Sequence, residues 1–228
     1  MGVMIMNFKL FVSAIAKFLL GVLLVGVLVF VPAGTINYIY GWVLMIVLFV
    51  PMFVAGIIMM VKNPELLKRR LATKEKEKTQ NIVIKLSGLM FILGFVLAGL
   101  DFRFDWLTLP FEVSIVAAIL FMIGYVLYAL VLKQNKYLSR TIDVSENQKV
   151  IDTGLYGIVR HPMYFATVIL FLSMPLILGS LYSFFVFLLY IPIIIVRLLN
   201  EEKVLEKELN GYIEYKKKVK YRLIPFIW

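Results

Sequence analysis

From Met163 to Val196 the chain runs for 34 residues without one charged side chain. No other stretch restricts the fold as much. A single straight helix of that length would measure about 50 Å, whereas the hydrocarbon core of a bilayer is about 30 Å thick. A run too long for one crossing and bare of charge fits two short arms folded against each other. Pro175, Gly179 and Ser180 supply the break between the arms, and Pro192 is placed to kink the second. The expectation is a helical hairpin.

Four more apolar runs precede it. They are Leu10–Val31, interrupted by Lys17, then Trp42–Val61, Ile82–Leu100 with Lys85 near its start, and Val113–Leu132. Each is close to the roughly 20 residues that cross a bilayer as a helix. Hydrophobic residues make up 62% of the chain, against roughly 45–50% in soluble domains. The fold class expected is therefore all-α, a polytopic membrane helical bundle of about six spans that ends in a short hairpin. The opening "MGVMIMNFKLFVSAIAKF" reads as the start of the first span, because its apolar run is long and no cleavage site stands out. Gly2 alone does not make a myristoylation signal, since Met6 stands where Ser or Thr is wanted. Lys17 and Lys85 read as snorkelling side chains near span ends.

The formal net charge is +10, and its placement is informative. Lys and Arg number seven in 62–81, five in 133–161 and eight in 197–228, while the opposite connectors 32–41, 101–112 and 178–182 hold only Arg103. That asymmetry places both termini and the large polar segments on the cytoplasmic side of an integral membrane protein. A nucleic-acid reader would carry a basic domain in solvent, and no segment here is long enough for one. The clusters Lys68-Arg69-Arg70 and Lys216-Lys217-Lys218, the latter with Lys220 and Arg222, read as contacts to anionic membrane lipid. "DFRFDWLTLP" reads as an aromatic connector at the far interface. With no cysteine and one histidine, neither a disulfide framework nor a metal site is expected.

That histidine lies in "GLYGIVRHPMY", at the cytoplasmic mouth of the hairpin. Proline is favoured at the first helical position, so Arg160-His161-Pro162 marks a helix start. The proline holds His161 extended, which lets its ring project from the mouth. Tyr164 follows on the same side, and Gly154 and Gly157 give the backbone around Tyr156 an unobstructed path. An imidazole, two phenols and backbone amides would form one wall of a pocket suited to a carboxylate or a ribose. At the other foot of the hairpin, "RLLNEE" puts Arg197 and Glu201 on one helix face. Arg197 follows directly on the uncharged run, and an ionisable group at that depth is costly enough to mark a site. Glu202 points to another face and reads as a solvated neighbour.

In order along the chain, "TGLYGIVRHPMY", a short hairpin, "RLLNEE", "GYIEYKKKV" and "LIPFI" resemble the isoprenylcysteine carboxyl methyltransferase family. That family belongs to a wider group of membrane methyltransferases that includes phospholipid methyltransferases. The resemblance is strong over about 135–228. "NPELLKRR" and "LDFRFDW" look like features of bacterial relatives, which implies a bacterial or archaeal plasma membrane. It also implies an N-terminal four-span region over 1–132 and a catalytic region over 133–228. The activity implied is methyl transfer from S-adenosylmethionine to a lipophilic or lipid-modified acceptor at the cytoplasmic face, with no metal.

Carried over by position, the resemblance gives cofactor binding to Gln148, Lys149, Val150 and Ile151, to Tyr156, to His161, Pro162, Met163 and Tyr164, and to Glu201. It gives substrate binding to Arg197, and catalysis to Arg197 with Glu201. This chain lacks the family's upstream glutamine and has Gln148 where the carboxyl methyltransferases have a histidine, so the acceptor stays open. The competing class is a membrane reductase of related architecture that uses NADPH. A small transporter fits less well, because the hairpin carries no ionisable group near the bilayer centre.

Overall fold

The computed structural model describes residues 8–72, 78–139, 141, 144 and 147–228; Gly2 and Met6 lie outside them. Four long helices come first: α1 (Phe8–Ala33), α2 (Ile39–Lys62), α4 (Lys78–Phe104) and α5 (Phe111–Gln134), with the short α3 (Pro64–Arg70) after α2. The uncharged run then forms α6 (Pro162–Ile177), α7 (Leu181–Phe187) and α8 (Tyr190–Glu208), and α9 (Tyr212–Lys218) follows. Four of the helices, and α7 joined to α8, are long and apolar enough to cross a membrane, which makes five candidate spans. The first arm of the hairpin, α6, has 16 residues, about 24 Å of helix, so the expected six spans are five long ones and one short.

The hairpin turns where the sequence provides for it, but not at Pro175, which stays inside α6. The reversal comes at Gly179, whose φ of 72° needs a residue without a Cβ. Ser180 then caps α7, its hydroxyl accepting from Ser183 N at 3.1 Å. Pro192 acts one turn upstream of itself. It removes the amide that would bond to the Leu188 carbonyl, and the helix is interrupted at Leu188-Leu189.

The connector after the third long apolar helix differs from expectation. Helix α4 continues through Asp101 to Phe104, and Asp101 is only 1% exposed. Its carboxylate accepts from Leu107 N at 2.9 Å and from the Ser180 hydroxyl, so it closes the helix end onto the hairpin tip. Leu109 N donates to Gly179 O at 2.7 Å, and the Tyr38 hydroxyl donates to Leu178 O at 2.5 Å. The end of the bundle opposite the motifs is thereby cross-linked by polar groups, each with a partner.

Lipid tails are as apolar as leucine, so helix association here rests on close packing. Small residues permit it. A Cβ on Gly99 would come within 2.7 Å of Val29 O, and one on Gly94 within 2.3 Å of the Phe187 ring. These contacts join α4 to α1 and to α7, while α5 packs most extensively on α6. Phe91, Phe95, Phe171 and Phe187 fill the space between, edge to face or tilted.

Candidate functional site

The N-terminus of α6 is held by the C-terminal segment. Arg160 N donates to Tyr221 O and His161 N to Arg222 O, both at 2.9 Å. Below this junction lies Glu202, 3% exposed. Arg160 Nε reaches Glu202 Oε1 at 2.7 Å, Arg222 Nε reaches Oε2 at 3.0 Å, and His161 Nε2 lies 3.4 Å from Oε1. Arg160 Nη1 also donates to Val219 O at 2.8 Å and Lys220 O at 3.1 Å. Glu202 does face away from Glu201, but it is not solvated as the sequence suggested. Residues 219–223 fold over it, and its charge is the centre of a buried network that fixes the Arg-His-Pro turn.

On the neighbouring face of α8, Arg197 and Glu201 converge on Tyr164. The Tyr164 hydroxyl donates to Glu201 Oε2 and accepts from Arg197 Nε at 3.0 Å. The Tyr164 and His161 rings stack with centroids 5.6 Å apart. Arg197 is gripped from behind as well. Its Nη1 donates to Gln80 Oε1 at 3.1 Å, and Gln80 Nε2 donates to the Arg197 carbonyl at 3.2 Å. Gln80, at the start of α4, is fully buried.

Tyr156 stands on the opposite wall, in a 3-10 turn over Gly154–Gly157. Gly154 has φ 59°, and a Cβ there would lie 2.8 Å from the Gln134 side chain. That side chain instead receives Leu155 N at 3.0 Å. The Tyr156 hydroxyl accepts from Asn135 Nδ2 at 3.0 Å, and its carbonyl accepts from the Tyr215 hydroxyl at 2.7 Å. Burial pushes the Tyr156 phenol far above its ordinary value, so it stays protonated.

These walls enclose one pocket. Gln148, Lys149, Val150, Ile151, Tyr156, His161, Met163, Tyr164, Arg197 and Glu201 all line it. Of the residues named from sequence, only Pro162 is absent from the lining; it is buried at the first position of α6 and shapes the turn. The lining also includes Asn135, Arg160, Tyr212 and Tyr215, to which the sequence reading gave no role. Glu201 is the one carboxylate among the described lining residues. Among the described residues, two buried side-chain polar atoms lack a hydrogen-bond partner: Asn200 Nδ2 and the Tyr212 hydroxyl.

In the basic clusters Lys68, Lys217, Lys218 and Lys220 are exposed, while several members also have partners within the chain. Arg70 turns inward, donating to the Tyr128 hydroxyl and to Ser139 O at 3.1 Å. Lys216 pairs with Glu206, Lys218 with Asp152 at 2.6 Å, and Arg222 with Glu202. Lys17 donates to Leu71 O at 2.6 Å, which satisfies the carbonyl end of α3 rather than only reaching water.

A bundle of long apolar helices with a polar pocket at one end defines an all-helical polytopic membrane protein. Within it, residues 113–210 match the family model described as phospholipid methyltransferase. That stretch runs from the first turn of α5 to just past α8 and carries most of the pocket wall. The match names the phospholipid methyltransferases of the wider group rather than the carboxyl methyltransferases. The chain is also similar to the Delta(14)-sterol reductase TM7SF2 of Mus musculus, 32% identical over 91 residues. That alignment covers 39% of this chain and 22% of the relative, so the chain spans less than a quarter of that protein's length.

Proposed function

We propose that this protein is an integral membrane methyltransferase that uses S-adenosylmethionine to methylate a lipophilic acceptor at the cytoplasmic face. The observation that carries the reading is the meeting of Glu201 and Arg197 on the Tyr164 hydroxyl, inside the pocket formed by the family-matched stretch. The donor set suits the cofactor. A carboxylate and stacked aromatic faces favour a positively charged sulfonium, and the irregular segment 148–151, half-buried at Gln148, Val150 and Ile151, offers backbone groups to a nucleoside.

S-adenosylmethionine supplies an electrophilic methyl carbon: an acceptor lone pair bonds to it as the carbon–sulfur bond breaks, the electron pair staying on sulfur. The protein's part is alignment, which can contribute about 7–11 kcal/mol when the reacting atoms are well placed. Glu201 provides negative charge on the cofactor side, and for an amine acceptor it is the pocket carboxylate able to take the departing proton. Arg197 provides a planar cation for an acidic or phosphate group of the acceptor. Tyr164 holds the two in fixed relation. A lipid-bearing acceptor reaches this level from the bilayer side, beneath the polar walls. Isoprenylcysteine-like carboxylates and lipid headgroups both fit that description.

The similarity to a sterol reductase supports a second reading, in which the same pocket takes NADPH for hydride transfer. Equilibrium binding of methyl-labelled S-adenosylmethionine and of NADPH to the purified protein separates the two. Binding of S-adenosylmethionine, weakened at least tenfold in Glu201→Gln, is the expected result. Binding of NADPH alone overturns the methyltransferase assignment.

A further inference from the structure

Helix α9 places two tyrosines three residues apart in the same apolar cluster, and it treats their hydroxyls differently. Gly211, at φ 85°, reverses the chain after α8 and aims Tyr212 back under it. Tyr212 and Tyr215 are 4% and 5% exposed, their rings 5.7 Å apart, and both pack with Leu209 and Val219. The Tyr215 hydroxyl donates to Tyr156 O at 2.7 Å. The Tyr212 hydroxyl has no partner among the described residues, although it is buried and its residue lines the pocket beside Glu201 and Leu205.

A buried hydroxyl without a partner destabilises a fold, and phenylalanine would fill the same space without that penalty. The oxygen is therefore available to a ligand in the pocket. Burial first, then the carboxylates of Glu202 and Glu201, push this phenol far above its ordinary value, so it stays protonated and can donate.

We propose that the Tyr212 hydroxyl is a cofactor-recognition group, donating a hydrogen bond to an acceptor oxygen of the nucleoside or amino-acid part of the cofactor in this pocket. The proposal rests on reading the pocket as a cofactor site. It adds Tyr212, which lies just beyond the family-matched residues 113–210, to the residues that select the cofactor.

The test is Tyr212→Phe in the full-length protein, with Tyr215→Phe as control. Thermal midpoints are measured without ligand, and dissociation constants are measured for S-adenosylmethionine, S-adenosylhomocysteine and NADPH. Tyr212→Phe is expected to melt no lower than wild type while binding both sulfur nucleosides 5- to 30-fold more weakly. Equal loss for the two shows that the contact avoids the transferred methyl. Tyr215→Phe is expected to lower the midpoint, because it strips a partner from Tyr156 O. Unchanged affinity in Tyr212→Phe overturns the proposal. So does a lowered midpoint with unchanged affinity, which assigns the hydroxyl to a structural water, and so does failure to fold. If wild type binds only NADPH and Tyr212→Phe weakens that binding, the methyltransferase reading falls while the role of Tyr212 stands.

Discussion

Gln80 and Arg197 exchange two hydrogen bonds across the interface of α4 and α8: Arg197 Nη1 to Gln80 Oε1 at 3.1 Å, and Gln80 Nε2 to the Arg197 carbonyl at 3.2 Å. A neutral amide thus fixes the guanidinium on one side while the Tyr164 hydroxyl holds Nε on the other. The first half of the chain thereby reaches the pocket. Gln80→Met keeps the volume but removes the acceptor, so Arg197 should become more mobile. Peptide-resolved phenylglyoxal modification of Arg197 is expected to accelerate at least threefold, with affinity for S-adenosylmethionine within twofold of wild type. Gln80→Glu retains the accepting oxygen and should keep the slow rate. An unchanged rate in Gln80→Met would show that Tyr164 suffices.

The adjacent glutamates should fail in different ways. Glu202 is buried with Arg160, His161 and Arg222 around it. Removing one partner of such a network strands buried charge, at a cost of about 3–5 kcal/mol. Glu202→Ala is therefore expected to lower the thermal midpoint or the yield of folded protein sharply. Glu201 is half-buried on the pocket wall, and Glu201→Gln keeps its size and an oxygen to accept from Tyr164. Its midpoint should stay near wild type while cofactor affinity drops at least tenfold. Similar melting of the two variants contradicts the division of labour.

Much of this was legible in the chain because composition and chemistry coincide there. The uncharged run announced a hairpin, and Gly179 and Ser180 marked its turn, since each performs a backbone task few residues can. His161, Tyr164, Arg197 and Glu201 could be grouped because the two feet of a hairpin must end side by side. The fate of Glu202 was hidden, because nothing local says that a segment twenty residues downstream folds over it. Gln80 was hidden for a similar reason: a lone amide beside a basic loop becomes meaningful only once α4 is seen against α8. Asp101 looked like connector because charge suggests solvent, and only the hairpin tip supplies its partners. The orphaned Tyr212 oxygen has no signature in the sequence, since its neighbour Tyr215 is the same residue with the opposite fate.

The glycines of α4 separate packing from propensity. A Cβ on Gly94 meets the Phe187 ring at 2.3 Å, whereas one on Gly88 meets nothing within 4 Å. Gly94→Val should push α7 away from α4 and destabilise the hairpin by about 1–3 kcal/mol. Gly88→Ala should be neutral or stabilising by up to about 1 kcal/mol, because alanine is the better helix former. Denaturation in mild detergent, followed by loss of helical circular dichroism, reads both. Equal effects would mean that α4 and α7 are not in contact.

Orientation can be tested without background labelling, because the chain contains no cysteine. The polar pocket, α3, α9 and the densest Lys and Arg segments share one end of the bundle, while Asn37 lies in the turn between α1 and α2 at the other. Positive charge is retained on the cytoplasmic side during insertion, and a cofactor made in the cytoplasm needs its pocket there. Asn37 and Lys217 are both exposed, so single cysteines at these positions should be reachable. A membrane-impermeant maleimide applied to intact cells is expected to label Asn37→Cys directly and Lys217→Cys only after permeabilisation. The reverse pattern would place the pocket outside, beyond reach of a cytoplasmic cofactor, and would remove the methyltransferase reading together with the topology.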